Sequence, residues 1–222
     1  TVKSNAFEYI ALAPPVMVVL GTNGVAITSG DAAQAGNGTA FSLLKPDQNE
    51  ARVFSVSNGG VGLLQITGWS GSDARFSVEG LPATVPHGAV SNFTVRFTPG
   101  GAAGAFASSI VFTNNTDAAA FTLNVRGGAW EVSQLDGPLA GGNGVTVIAG
   151  GIGAGADIYS VTIGGVEGTI TAQTATSVTF MAEANGTNGL KDIVIRAAGA
   201  GTTTLANAYT VNPAGSIAGG QS

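Results

Sequence analysis

Residues 92–99 read Asn92-Phe-Thr-Val-Arg-Phe-Thr-Pro99 and place Phe93, Val95 and Phe97 at alternate positions. Successive side chains of a β-strand point to opposite faces, so this spacing predicts a strand with one apolar face. The alternation returns in Phe121-x-Leu123-x-Val125. Shorter stretches repeat it at Phe76-x-Val78, Ile110-x-Phe112, Val145-x-Val147, Val161-x-Ile163, Val178-x-Phe180, Ile193-x-Ile195 and Tyr209-x-Val211.

Clusters of Gly, Asn, Pro and Asp separate these stretches, at 57–60, 98–101, 114–117 and 184–187. Gly and Asn supply the positive φ that tight turns need. No long window shows the i, i+3, i+4, i+7 apolar stripe of an amphipathic helix. Short strands at regular spacing with turns between them predict an all-β fold of antiparallel sandwiches.

The composition describes an apolar chain with few charges. Of the 222 residues, 44% are hydrophobic and 9% are charged, and the formal net charge is −5. This balance argues against disorder and offers no basic surface for nucleic acid or an anionic membrane. The longest apolar run, Val16 to Leu20, is far shorter than the ~20 residues that cross a bilayer. The chain has no cysteine, which excludes disulfides and thiolate metal sites.

The opening Thr-Val-Lys-Ser-Asn does not have the pattern of a signal peptide. We therefore expect either that a signal was removed or that the sequence is a piece of a longer chain. A change of composition near Gly127-Gly128-Ala129-Trp130 predicts a domain boundary, because only Phe180 of the phenylalanines lies after it. The predicted tandem consists of sandwiches at 14–130 and 131–213.

The first of these sandwiches resembles a known family. Pro15-Val-Met-Val-Val-Leu-Gly21, Phe54-Ser-Val-Ser-Asn58-Gly-Gly, residues 92–99, Ile110-Val-Phe-Thr-Asn114 and Phe121-Thr-Leu-Asn-Val-Arg-Gly127 carry the resemblance. Residues 14–128 resemble the choice-of-anchor D repeat and the related ASH-type domains. The resemblance implies an immunoglobulin-like β-sandwich. The family's Asn-Asp pair before the last strand is replaced here by Asn114-Asn-Thr-Asp117.

The second sandwich resembles another immunoglobulin-like family. Its opening Pro138-Leu-Ala-Gly141-Gly142 and its ending Asn207-Ala-Tyr-Thr-Val211 carry the match. Residues 131–213 resemble the IPT/TIG domain, and the resemblance implies two tandem immunoglobulin-like β-sandwiches for the whole chain.

The two ends of the chain share a short repeat. Thr1–Tyr9 matches Thr203–Val211 at the Thr, at the Asn-Ala pair (Asn5 and Asn207) and at the aromatic residue that follows (Phe7 and Tyr209). This predicts that Thr1–Tyr9 is a strand that pairs with a TIG-type sheet, with Phe7 and Tyr9 on one face. In one alternative, residues 1–13 close a preceding repeat of an array and continue into a linker. In the other, they donate a strand to a neighbouring molecule. Residues 214–222 are interpreted as a linker or the start of a further repeat.

The residues that carry chemistry do not form a recognisable catalytic or metal-binding pattern. His87 is the only histidine, and we expect it in a surface turn. Gly151-Ile-Gly-Ala-Gly-Ala156 has the spacing of a dinucleotide fingerprint, but a strand pattern follows it where a helix is needed. Asp117 and Asp157 are interpreted as turn caps rather than calcium ligands. We therefore predict no enzymatic activity, no metal and no cofactor.

Four Asn-x-Ser/Thr sequons are candidates for glycosylation: Asn37, Asn92, Asn114 and Asn185. Asn37, Asn114 and Asn185 fall in predicted turns, where a glycan fits, whereas Asn92 begins a strand and is expected to be less accessible. Trp130 lies at the predicted junction, where we expect it to pack between the domains. Sugar stacking is the minor interpretation for both Trp130 and Trp69.

Together these features favour a non-enzymatic structural or adhesive segment of an extracellular or cell-surface repeat protein, such as a building block of a filament or stalk. The expected partners are neighbouring copies or repeats of the same protein. Glycans are a further expected class of partner. We expect no nucleic acid and no transmembrane segment. A carbohydrate- or protein-binding module that uses the loops at one sandwich end is the first alternative. An intracellular ciliary scaffold is the second.

Overall fold

A computed structural model describes residues 13–215, and all of the regular structure in this range is β. The prediction of an all-β fold is therefore confirmed. The strands are β1 (Met17–Leu20), β2 (Ala26–Ile27), β3 (Ala40–Leu44), β4 (Glu50–Asn58), β5 (Leu64–Gly71), β6 (Phe76–Glu79), β7 (Thr84–Val85), β8 (Val90–Phe97), β9 (Gly104–Asn114), β10 (Ala120–Val132), β11 (Asp136–Pro138), β12 (Gly144–Ala149), β13 (Ile158–Ile163), β14 (Val166–Glu167), β15 (Thr169–Gln173), β16 (Ser177–Met181), β17 (Gly189–Ala197) and β18 (Gly201–Asn212).

The described residues form two compact units. The first unit contains residues 13–40, 51–96 and 108–125, and the second contains 41–50, 97–107 and 126–215. Strand β10 runs through residues 127–131 without a break. The domain bounds 14–130 and 131–213 stay a prediction. The predicted strand Thr1–Tyr9, with Asn5, Phe7 and Tyr9, lies outside the described residues.

The first unit is an immunoglobulin-like β-sandwich. One sheet has the strand order β2-β1-β4-β8-β6, and the strands β7, β5, β9 and β10 follow one another in the other. Alternate residues of β4 and β8 are buried, as their apolar spacing predicts. Phe93 lies between Phe54 and Phe112, with ring centroids 5.8 Å and 5.3 Å away. These three rings are buried and form the centre of the core.

The second unit is also an immunoglobulin-like β-sandwich. Strands β10, β12, β16 and β15 follow one another in one sheet, and the other has the order β11-β18-β17-β13-β14. Side chains that alternate along β12, β16 and β17 form its core, among them Val147, Phe180 and Ile195. One pairing differs from the antiparallel prediction, because β11 runs parallel to β18.

No helix in residues 13–215 has the length and apolar character needed to cross a membrane.

Ala119 sits in a turn that a glycine would fit better. It closes the turn Thr116–Ala119 with a φ of 58°, and its amide donates to the carbonyl of Thr116 at 2.9 Å. An L-residue with a side chain is strained in this conformation through contact of Cβ with its own backbone. We expect Ala119→Gly to raise the free energy of unfolding by about 0.5–1 kcal/mol, after the larger entropy loss of glycine is subtracted.

Urea unfolding of the Ala119→Gly variant measures this effect. Ala118→Gly is the matched control, since Ala118 is exposed in the same turn and has no positive φ. A loss of stability in Ala119→Gly as large as in the control would contradict the strain at Ala119.

Candidate functional site

In the first unit, the side chain of Asn58 holds together three segments that are distant in sequence. Its Oδ1 accepts hydrogen bonds from the amides of Val16 (3.1 Å) and Gly60 (3.0 Å). Its Nδ2 donates to the carbonyls of Gly62 (2.7 Å) and Val85 (3.0 Å). Asn58 is 1% exposed, and its bonds to Val85 and Gly60 are buried, whereas those to Val16 and Gly62 are partly buried. The side chain therefore fixes the lead into β1, the loop after β4 and strand β7.

The loop that Asn58 organises leaves no room for a side chain at Gly60. A Cβ there would overlap the carbonyl oxygen of Pro14, which belongs to the main chain. The exposed ring of His87 donates from Nδ1 to the carbonyl of Gly60 at 2.6 Å. The prediction that His87 lies in a surface turn is confirmed. Its hydrogen bond closes the loop from the outside.

In the second unit, Asp157 plays the same part in the glycine-rich loop at 151–157. Its Oδ1 accepts from the amide of Ala154 (2.6 Å), and its Oδ2 accepts from the amide of Gly199 (2.8 Å). Strand β13 follows this loop directly, in the place where a dinucleotide site needs the N-terminus of a helix. The interpretation of Asp157 as a turn cap agrees with its two amide bonds.

The two amide hydrogen bonds of Asp157 make its contribution to folding depend on pH. The amide of Ala154, followed by that of Gly199, lowers the pKa of the Asp157 carboxyl below its ordinary value. A lowered pKa in the folded state means that the stabilisation is complete above the ordinary pKa and is lost as the pH falls through the lowered value. We expect wild-type stability to fall in that acid range more steeply than the stability of Asp157→Asn. Urea midpoints of both proteins, measured from neutral to strongly acidic pH, check this, and parallel curves would contradict it.

The sequons do not have the accessibility that the sequence predicts. Asn114 is 7% exposed, and its Nδ2 donates to the carbonyl of Phe112 at 3.1 Å. Asn185 is 8% exposed, and its Nδ2 donates to the carbonyl of Ile163 at 2.9 Å. The expectation of an open turn around these two side chains is therefore wrong. Turn-forming neighbours do not by themselves expose an asparagine, because each of these two side chains is held in the protein by its hydrogen bond to a main-chain carbonyl.

The other two sequons have more accessible asparagines. Asn37 is half-buried, and its Oδ1 accepts from the hydroxyl of Thr39 at 2.7 Å. Asn92 is exposed on β8, where its Oδ1 accepts from the hydroxyl of Ser55 at 2.9 Å. The expectation that Asn92 is less accessible than the turn sequons is wrong, because its side chain points to the outer face of the strand. Whether any sequon carries a glycan stays a prediction.

The second unit has an apolar groove of about 380 Å³. Its lining residues are Lys45, Pro46, Asp47, Trp130, Glu131, Val132, Leu135, Leu190, Asn207, Ala208, Tyr209 and Thr210. Trp130 and Tyr209 are buried at its base, whereas Leu135 and Leu190 are each 64% exposed at its rim. The groove therefore combines a rigid aromatic base with two leucines in contact with solvent.

Trp130 is fixed in the core of the second unit. It is 7% exposed, pairs with Ala149 of β12 and belongs to the same buried cluster as Val132. Leu43 packs against this cluster, and the Lys45 ammonium lies 5.3 Å from the ring centroid. This distance is within the range of a cation–π interaction. The role of Trp130 in packing between domains stays a prediction.

Tyr209 enters the groove base through an irregularity that the sequence pattern did not reveal. The register between β17 and β18 shifts at Lys191/Ile193, and Asn207 adopts a φ of 52°. The amide of Asn207 donates to Oδ1 of Asp192 at 2.8 Å. The Asn-Ala-Tyr motif therefore forms a β-bulge, in which asparagine tolerates the left-handed conformation. As a result, the consecutive residues Ala208 and Tyr209 are both buried.

The Tyr209 side chain brings a hydroxyl group to the base of the groove. The Tyr209 hydroxyl accepts a hydrogen bond from Nδ2 of Asn143 at 2.6 Å. Burial raises the pKa of Tyr209, so its hydroxyl stays protonated at neutral pH. The described lining residues include no Ser, Cys or His.

The outer edge of β13 is closed by side chains. The side chain of Gln173 makes two hydrogen bonds to the backbone of Ile158. It accepts from the Ile158 amide (2.8 Å) and donates to the Ile158 carbonyl (3.1 Å). Glu167 accepts from the amide of Val161 at 3.0 Å, and the amide of Gly168 donates to the carbonyl of Val161 at 2.8 Å. These bonds occupy the groups that an added strand would need.

No protein-family model matches the sequence, and no curated protein matches it. Solved structures with a similar fold include the ASH/PapD-like domain 7 of human CEP192, at 10% identity, covering 58% of this chain and 94% of that chain, with a TM-score of 0.37. A protein of unknown function from Porphyromonas gingivalis is 14% identical, with 78% of this chain and 94% of that chain covered and a TM-score of 0.35. The E. coli chaperone DraB is 12% identical, with coverage of 78% and 94% and a TM-score of 0.30.

Proposed function

We propose that this chain is a non-enzymatic structural segment of an extracellular or cell-surface repeat protein. In this proposal, residues 14–128 are a choice-of-anchor D or ASH-type domain and residues 131–213 are an IPT/TIG-type domain. The observation that carries it is the use of polar side chains as loop ties. Asn58 and Asp157 bond the backbone of loops. Asn114 and Asn185 bond carbonyls of strands β9 and β13 beside the turns that follow or contain them. Loops held in this way suit a module whose task is to keep its shape.

The contacts of the second unit favour the array over strand donation. Thr203–Val211, which match Thr1–Tyr9, lie in β18, and β18 pairs with β11 on one side and β17 on the other. A donated copy of this strand would have to displace β18. The outer edge of β13 is occupied at Ile158 and Val161 by the bonds described above. We therefore propose that Thr1–Tyr9 continues from an upstream repeat of the same polypeptide.

Deletion of residues 1–11 separates the array from strand donation. Sedimentation velocity of the chain with and without these residues is expected to show the same monomer. Polymers of the intact chain that disappear on deletion would support donation and overturn the array.

Glycan attachment tests which sequons are accessible in the folded protein. In a secretory host that glycosylates sequons, we expect sugar at Asn37 and Asn92 and none at Asn114 and Asn185, because the amide nitrogens of the latter two donate to buried carbonyls. Glycopeptide mass spectrometry measures the occupancy of each site. Full occupancy of Asn114 or Asn185 in the folded protein would contradict the structural role of those amides. Recovery of the native protein from the cytosol of its source cells would overturn the proposed location.

A second candidate function is self-association through the groove, with a second copy of the chain as the partner. The exposure of Leu135 and Leu190 at the rim favours self-association, because the contact would bury both leucine side chains away from water. The Leu135→Ser, Leu190→Ser double variant is expected to lose any concentration-dependent dimer seen by sedimentation. Tyr159→Ser is the matched control, since Tyr159 is 67% exposed in the same unit and does not line the groove. A wild type that stays monomeric at every concentration rejects this candidate.

The alternative is a carbohydrate-binding module, in which the loops at one end of a sandwich bind the sugar. A glycan array probed with the purified chain is expected to show no binding if the segment is structural. Reproducible binding to one class of glycan would replace the structural proposal.

A further inference from the structure

We propose that Asn188 is a site of spontaneous deamidation, with Gly189 as the attacking residue and water as the co-reactant. This inference concerns a covalent change and is independent of the proposed structural function. It rests on a comparison among the Asn-Gly pairs of the chain, which all lie within the described residues. The pairs are Asn23-Gly24, Asn37-Gly38, Asn58-Gly59, Asn143-Gly144, Asn185-Gly186 and Asn188-Gly189.

Five of the six asparagines are held by hydrogen bonds. The amides of Val25 and Thr39 donate to the Oδ1 atoms of Asn23 and Asn37, at 3.0 Å and 3.1 Å. The bonds of Asn58 and Asn185 are those described above. Nδ2 of Asn143 donates to the Tyr209 hydroxyl.

Asn188 differs from these five asparagines in both exposure and bonding. It is exposed, and its side chain makes no hydrogen bond to any residue that the structure describes. Gly189 follows it with a φ of 102° and has no Cβ to obstruct an approach to the asparagine. The Asn188 side chain is therefore the one among the six that can rotate toward the next amide without breaking a bond.

The reaction is balanced with water alone. The amide nitrogen of Gly189 loses its proton to hydroxide or water and attacks Cγ of Asn188. The N–Cγ bond forms, the Cγ–Nδ2 bond breaks, and the side-chain nitrogen leaves as ammonia. Water then opens the cyclic imide at either carbonyl, which gives aspartate or isoaspartate. No oxidation or reduction takes place.

The position of Asn188 gives the reaction a structural consequence. Gly189 begins β17 and pairs with Val211, followed by the pair Leu190–Thr210. The attack therefore takes place at the terminal pair of the strand rather than within the strand. Isoaspartate lengthens the main chain by one methylene beside this pair and adds a negative charge. Because Leu190 and Thr210 line the groove, we expect the change to loosen the groove rim.

Incubation of the folded chain at mildly alkaline pH, followed by peptide mapping, tests the proposal. We expect aspartate and isoaspartate at Asn188 to accumulate roughly tenfold faster or more than at Asn58 or Asn185, because those two sites react only after local unfolding. In denaturant, the rates of the six sites are expected to converge. Asn188→Ser should remove the fast product and leave the other sites unchanged.

Two results would overturn the proposal. One is an Asn188 rate in the folded chain no faster than the rate at Asn58 or Asn185. The other is a fast reaction at Asn23 that exceeds the reaction at Asn188, because Asn23 is also exposed but is held by the amide of Val25.

Discussion

Replacing Asn58 with alanine is expected to lower the free energy of unfolding of the first unit by about 3 kcal/mol or more. The substitution removes four hydrogen bonds and leaves the amides of Val16 and Gly60 and the carbonyls of Gly62 and Val85 without this partner. Each backbone group left unbonded in a buried place costs ~1–3 kcal/mol, and water that enters the space of the lost side chain recovers part of it. Urea unfolding followed by tryptophan fluorescence measures the loss.

The control for this variant is Asn92→Ala. Asn92 is exposed and shares a single side-chain bond with Ser55, so its loss is expected to cost less than about 0.5 kcal/mol. Asn58→Asp tests the two donor bonds separately from the two acceptor bonds. It keeps an acceptor for Val16 and Gly60 but places a carboxylate oxygen against the carbonyls of Gly62 and Val85, so at neutral pH it is expected to be at least as unstable as the alanine variant. Equal stability of the Asn58 and Asn92 variants would contradict the role of Asn58.

Phe93→Ala is expected to cost about 3–5 kcal/mol, the range for removal of a buried aromatic ring. The Phe93 ring is 2% exposed and contacts Phe54 on one side and Phe112 on the other. The loss combines the apolar area returned to water with the cavity left between two rings that belong to different strands. A domain of this size has a total stability of ~5–15 kcal/mol, so the variant is close to the limit of folding.

Phe93→Leu keeps the folded state measurable and is the matched variant for this prediction. It retains much of the apolar volume and loses the ring contacts, so we expect a loss of about 1–1.5 kcal/mol. Thermal unfolding of both variants checks the order. A leucine variant as destabilised as the alanine variant would show that ring shape, rather than volume, determines the stability at this position.

The strands were predictable from the sequence because their signal is local. Phe93, Val95 and Phe97 alternate within a few residues, and each is buried on β8. A loop was also predictable from Asn58-Gly59-Gly60, although β4 continues through Asn58 and the loop begins at Gly59. The partners of Asn58 were not, because Val16 and Val85 are distant in sequence and meet it only after the sheets form.

The same reasoning explains the errors at the sequons and the bulge. Asn185 was predicted to be open because its neighbours are turn formers, yet its side chain bonds Ile163 on another strand. At Asn207, three residues of β18 (206–208) lie opposite a single residue of β17 (192), and such an insertion cannot be seen from apolar spacing alone. The groove beside it depends on this bulge and on residues 45–47, so it has no single sequence signature.

The structural proposal is tested most directly by stretching the chain in a single-molecule force experiment, with the chain placed between reference domains. We expect discrete all-or-none unfolding events, with Asn58→Ala lowering the force of the event in which the first unit unfolds. Gradual extension at low force without discrete events would contradict a segment that keeps its shape under load.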